Sequence, residues 1–125
     1  MNKTATLEDA ISIAADAHKR QFDKAGAPYI LHPLRMMMRM TSEAAMMTAI
    51  LHDVVEDSDW TLEGLREVGF SEEVLTAIDG ATNRSGESYE QFIERAATNP
   101  IARQVKIADL EDNTNSNSKV RIFFA

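Results

Sequence analysis

Apolar residues recur at helical spacing through most of the chain, interrupted at regular intervals by capping and breaking residues. In TLEDAISIAADAHKRQF, Leu7, Ala10, Ile11, Ala14, Ala17 and His18 fall at that spacing, with Thr6 as N-cap and Asp9 three residues on. This predicts an amphipathic first helix. Gly26 and Pro28 in DKAGAPYI break it into a loop, and His32-Pro33 starts the next helix with Pro33 near its first turn. Ser42 caps a helix running through EAAMMTAILHDVVED, while Thr61 (TLEGLREV) and Ser71 (SEEVLTAID) cap two more. Residues 83–88 read as a loop and Tyr89 to Thr98 as a helix. Pro100 then opens IARQVKIADLEDN, which places Val105, Ala108 and Asp109 close to one face.

No alternating strand pattern stands before the last residues, so the expected class is all-α, a compact helical bundle. The tail NTNSNSKVRIFFA departs from the pattern. Its polar residues 113–118 disfavour a helix interior, and the apolar end, Val120, Ile122, Phe123 and Phe124, fits strand or helix equally. Met36, Met37, Met38, Met40, Met46 and Met47 invite a soft-metal reading, but flexible core filling on two facing helices explains them more simply. His18 reads as a core-edge histidine and Trp60 as a packing anchor.

With 125 residues, 44% of them apolar, the chain is expected to form one domain over residues 1–125. It holds no apolar run of about 18 residues and its N-terminus lacks a signal-peptide core, which gives a cytoplasmic expectation. The absence of cysteine leaves His, Asp and Glu as the ligands open to a metal. A net charge of −7 argues against extended nucleic acid and anionic membrane as partners. It does not exclude a small anionic ligand, because a divalent metal with Lys19, Arg20, Lys24 and Arg35 can dominate the field inside one pocket.

The densest candidate chemistry is His52-Asp53, with Glu56 and Asp57 one helical turn further on. On a helix otherwise built of Ala, Ile, Leu, Val and Met, such a cluster needs a partner or a metal. His32 and Asp109 extend it to two imidazoles and two carboxylates, a set suited to Mn²⁺, Fe²⁺ or Zn²⁺. An ion there lowers the pKa of bound water and neutralises charge on a phosphoryl group, and Glu56 and Asp57 then orient that water or move its proton. Singly, each residue has a plainer explanation. His32 fits a helix entry, an HD pair alone says little, and Asp109 beside Glu111 and Asp112 fits a solvated helix face. The combination favours chemistry.

Four stretches, AHKRQFDKAGAPYILHP, AAMMTAILHDVVEDSDWTLEGLREVGFSEEVLTAIDGATNR, ESYEQFIERAATNP and QVKIADLEDN, cover most of residues 7–113. In their PYxxHP, LLHDxVED-like and KxADxxxN motifs the chain resembles the HD-domain phosphohydrolases. Within them it resembles the hydrolase domain of Rel-type alarmone synthetase/hydrolases and the small alarmone hydrolases. The resemblance implies metal ligands at His32, His52, Asp53 and Asp109, Mn²⁺ as the metal, and Glu56 and Asp57 acting on the nucleophilic water. It further implies that Asn113 contacts the substrate ribose and that the reaction removes the 3′-pyrophosphate of (p)ppGpp, giving GDP or GTP and pyrophosphate.

The chain departs from that family in two places. Where the family reads HxxQxRKSGxPY, Asp23 replaces the Arg that lies against the base. Lys24 is then the remaining cation of the stretch, with Arg20 or Lys19 as substitutes in substrate binding. Asp23 near an anionic nucleotide is expected to repel it. The match also ends after Asn113, where relatives continue into further helices: either the end is cut or altered, so that the bundle lacks that C-terminal cover and is expected to pair with itself as a homo-oligomer, or Val120 to Phe124 packs back in place of a helix. Three functions follow from these features: a metal-dependent (p)ppGpp hydrolase, an HD hydrolase of another nucleotide, and a catalytically impaired domain that binds a nucleotide or a partner.

Overall fold

A computed structural model describes the backbone of residues 4–115 and 123–124 and the side chains of residues 4–113. Along the chain run α1 (Leu7–Ala17), β1 (Gln21–Phe22), α2 (Leu31–Met38), α3 (Glu43–Leu51), α4 (Val54–Asp57), α5 (Leu62–Val68), α6 (Glu72–Gly80), α7 (Tyr89–Ala97), α8 (Pro100–Asn115) and β2 (Phe123–Phe124). The expected caps close the helices they announced. Thr6, Ser42, Thr61 and Ser71 accept from the backbone N–H of Asp9, Ala45, Gly64 and Val74, and Ser88 does the same for Gln91. No helix among the described residues is long and apolar enough to cross a membrane.

The central helix is α3, which packs against α1, α2, α6 and α8. Its residues are apolar on nearly every side, and Ala45, Thr48, Ala49, Ile50 and Leu51 are buried, the pattern of a helix surrounded by protein. Met36, Leu65, Phe70, Val74, Leu75, Ile78, Ala102 and Val105 complete the core around it. Helices α6 and α8 approach closely where Gly80 faces Ala102; a Cβ at Gly80 would stand 3.0 Å from that of Ala102. Met36, Met37 and Met40 are buried in the core, as the filler reading requires, whereas Met38 is exposed.

Three local expectations need correction. The helix read as continuous from residue 43 to 57 breaks at His52-Asp53, between α3 and α4. His52 turns its own side chain back, and Nδ1 lies 2.7 Å from the Ala49 carbonyl, one of the last-turn acceptors a continuing helix would use. Helix α8 runs to Asn115, into the polar stretch expected to end it. Gln21–Phe22 forms a strand that no periodicity announced, pairing antiparallel with Phe123–Phe124 in the register Gln21↔Phe124 and Phe22↔Phe123. Val120, Ile122 and the polar residues 116–118 lie outside the described residues.

Candidate metal centre

Helix α2 carries His32 in its first turn, the break between α3 and α4 carries His52 and Asp53, and the middle of α8 carries Asp109. The fold brings the four together from segments 20 to 77 residues apart (52 − 32 and 109 − 32). His32, His52 and Asp109 each present one atom to a common space, all within 4.8 Å of one another. Asp53, expected as the fourth ligand, stands beside them, with Oδ2 3.1 Å from His52 Nε2 and 3.9 Å from His32 Nε2. His32 Nε2 lies 2.9 Å from Asp109 Oδ1, and the two imidazole rings meet edge to face at 5.9 Å.

These residues fit a divalent cation. His52 Nδ1 is held by the Ala49 carbonyl, which leaves its Nε2 directed at the cluster, buried and without a hydrogen-bond partner despite the nearby Asp53 oxygen. An orphaned imidazole nitrogen beside two carboxylates and a second imidazole is a donor set for a borderline-to-hard ion. The electrostatics of the metal-free cluster agree. Burial alone would lower the His52 imidazole, but Asp53, Asp109 and the Ala49 carbonyl outweigh it and hold the ring up at about 9. Burial would likewise raise Asp53, yet the two imidazoles and Tyr29 keep its carboxyl well below the usual carboxylate range.

Glu56 and Asp57 stand at the edge of this cluster, on α4. Both carboxyls are raised, first by the protein packed around them and then by Asp53; Asp57, with Glu56 as a further neighbour, is pushed up to about 7. The Glu56 side chain is exposed by surface area, so its crowding is that of a rim. Its Oε1 accepts the Asn83 N–H at 2.8 Å, which joins the loop at residues 82–88 to the site. Arg95 braces the same loop by donating to the carbonyls of Asp79 and Thr82 and to the Glu87 carboxylate.

The expected substrate contacts are distributed unevenly. Asn113 lies at the cluster, its Nδ2 3.5 Å from Asp109 Oδ1 and its Oδ1 buried without a partner. Lys24 and Arg20 are exposed at the surface, Arg20 with a left-handed backbone at φ 68°. Asp23, the residue expected to repel an anionic nucleotide, sits in the turn at residues 23–27. It is buried, and its Oδ1 accepts the N–H groups of Ala25 and Ala27 at 2.9 and 3.0 Å, so the carboxylate shapes its own loop. Arg35, named with Lys19, Arg20 and Lys24 as a local pocket cation, is paired with Asp112 through two hydrogen bonds at 2.7 and 2.9 Å.

Several residues of the site escaped the sequence reading. Tyr29 donates to Asp53, Lys106 donates to Asp109 Oδ2 at 3.2 Å, and Asp112 lies 2.6 Å from His32 Nδ1. The helical face rule held the signal, since Arg35 follows His32 by three positions, and Lys106 and Asp112 flank Asp109 by three on either side. His18 is buried at the back of the site, its Nδ1 2.7 Å from Gln21 Oε1 and its ring 5.0 Å from that of Tyr29.

No family model matches the chain. Among curated proteins, the guanosine-3′,5′-bis(diphosphate) 3′-pyrophosphohydrolase of Aquifex aeolicus is 30% identical over 122 residues, 88% of this chain and 17% of that protein. The chain thus spans about a sixth of that relative's length. The mouse guanosine-3′,5′-bis(diphosphate) 3′-pyrophosphohydrolase MESH1 is 34% identical over 121 residues, covering 86% of this chain and 67% of MESH1. A solved structure of a metazoan ortholog of SpoT, described as hydrolysing ppGpp and playing a role in starvation responses, superposes with a TM-score of 0.72 at 26% identity, over 94% of this chain and 75% of that one. With two thirds of MESH1 matched at this identity and the helical fold shared, the chain belongs to the family of guanosine-3′,5′-bis(diphosphate) 3′-pyrophosphohydrolases.

Proposed function

We propose that this chain is a metal-dependent phosphohydrolase that removes the 3′-pyrophosphate of (p)ppGpp, with His32, His52, Asp53 and Asp109 holding a divalent ion, Mn²⁺ first among candidates. The observation that carries the reading is the buried, unpartnered Nε2 of His52 facing His32 and Asp109. The names of MESH1 and the Aquifex relative support the substrate. When bound, the ion supplies Lewis acidity toward a phosphoryl group and lowers the pKa of water.

The chain's own groups supply the remainder. Water oxygen bonds to the phosphorus attached to the ribose 3′ oxygen, the bond to that 3′ oxygen breaks, and the departing oxygen gains a proton. Asp57, poised near 7, or Glu56 beside it accepts the proton that water loses. The products are GDP or GTP and pyrophosphate. Asn113 at the cluster contacts the ribose, while Lys24 and Arg20 at the surface meet the nucleotide's anionic groups.

The test is metal analysis of protein purified without chelator, followed by pyrophosphate release from ppGpp with added Mn²⁺. Bound metal with turnover supports the reading; bound metal with ppGpp untouched removes the substrate, and no bound metal removes the hydrolase. The loop at residues 23–27 favours a second reading, a hydrolase of another nucleotide, because its Asp23 is consumed by the backbone and it offers Lys24 with no guanidinium. Turnover of other nucleoside polyphosphates faster than ppGpp would select it.

A further inference from the structure

Behind His32, on the side away from His52 and Asp53, the structure holds a second arrangement of charge. His32 Nδ1 lies 2.6 Å from Asp112 Oδ2, and Arg35 grips both oxygens of that carboxylate, Nε to Oδ1 at 2.7 Å and Nη2 to Oδ2 at 2.9 Å. Asp112 is 4% exposed and His32 2%, so the contact is dry.

A buried carboxylate with a two-pronged guanidinium on its outer side has one strong use left for its inner oxygen, to accept a hydrogen from Nδ1. That holds a hydrogen on Nδ1, while Nε2 faces the Asp109 carboxylate at 2.9 Å and donates to it when no metal is bound. Nε2, the nitrogen pointing at Asp109 and Asp53, is then the one left to give up its hydrogen and present a lone pair when a metal binds. The two histidines reach this state by different means. A neutral backbone carbonyl sets His52, whereas a carboxylate anchored by an arginine sets His32.

We propose that Asp112, anchored by Arg35, is a positioning residue that selects the tautomer of His32 and strengthens it as a metal ligand. This rests on the metal reading given above. The alternative is that Arg35 and Asp112 merely clamp α2 to α8, which they join in any case. A clamp affects melting, but it has no means of setting the nitrogen on which His32 carries its proton.

The experiment compares wild type, Asp112→Asn and Arg35→Gln by calorimetric titration with MnCl₂, with ¹⁵N spectra of the imidazoles of the zinc-loaded proteins and melting curves of all three. We expect Asp112→Asn to weaken Mn²⁺ binding about 10- to 100-fold. Arg35→Gln, which leaves the carboxylate in place but loosens it, is expected to weaken binding by a smaller factor. The His32 ¹⁵N shifts are expected to lose the uniform Nδ1–H signature in Asp112→Asn. If Asp112→Asn does not fold, Arg35→Gln carries the comparison alone. Mn²⁺ affinity within about twofold of wild type in a folded variant, with unchanged imidazole shifts, overturns the positioning role, whatever happens to the melting temperature. Absence of divalent-ion binding by wild type overturns the metal reading instead.

Discussion

Tyr29 donates its phenolic hydrogen to Asp53 Oδ2 at 2.6 Å, from a loop 24 residues earlier in the chain. The same oxygen lies 3.1 Å from His52 Nε2 and 3.9 Å from His32 Nε2. Burial and Asp53 together push the Tyr29 hydroxyl far above its ordinary value, so it remains a donor at every relevant pH. Tyr29→Phe is expected to lower folding stability by about 1–3 kcal/mol, the range for a buried hydrogen bond to a charged group, and to weaken Mn²⁺ binding. Denaturant titration and calorimetry of the same samples measure both effects; a variant indistinguishable from wild type in each would remove Tyr29 from the site.

Asp53 and Glu56 should separate metal binding from turnover. Asp53→Ala is expected to abolish metal binding, because it removes the carboxylate between the two imidazoles. Glu56→Gln, at the rim, is expected to keep the metal and lose turnover by about 100-fold or more, the scale of a lost general base. Metal content and pyrophosphate release measured on both variants decide it. Equal metal loss in the two would refute this division of labour.

The raised Asp57 carboxyl has a signed effect on stability. Its pKa in the fold, about 7, exceeds the ordinary 3.8, so its contribution to stability is complete below pH 3.8 and is lost as pH rises through 7. Metal-free Asp57→Asn should therefore be more stable than metal-free wild type, with the gap widening by about 1–2 kcal/mol between about pH 5 and about pH 8, after allowance for partial solvation. Thermal melts across that range test the sign. A gap that narrows with pH contradicts it.

Restoring an arginine at position 23 should harm the protein. Asp23 serves the N–H groups of Ala25 and Ala27 from a buried position, and a guanidinium there can accept neither. Asp23→Arg is expected to cost about 2–4 kcal/mol in stability without raising turnover of ppGpp. Chemical denaturation beside an activity assay checks both, and a stable variant with faster turnover would show that the loop tolerates the family's arginine.

Helix starts were legible in the sequence because capping is local chemistry. Thr6, Ser42, Thr61 and Ser71 each needed only the next few residues to declare themselves, and each makes the bond expected of it. The positions of His32, His52, Asp53 and Asp109 could also be read, since few other residues offer such chemistry at those spacings. Tertiary relations could not be read in the same way. Asp112 looked like one more solvated acid after Glu111 because nothing in α8 alone says that α2 will set Arg35 and His32 against it. Gln21–Phe22 is too short to show any period, and its partner lies a hundred residues away, so its strand was invisible. The break at His52-Asp53 escaped because it depends on where the His52 side chain turns, while the backbone on either side remains helical.

Central placement of α3 has an evolutionary consequence. The proposed metal centre sits at the end of the helix most enclosed by the core, whereas residues 24–26 and 83–86 are exposed on loops. Substitutions at those exposed positions, unlike one at buried Asp23, touch little of the core and fall in the range that natural drift tolerates, while changes at His52 or its neighbours disturb packing on four sides. Divergence among relatives can thus revise which nucleotide is admitted long before it revises how a phosphate is attacked.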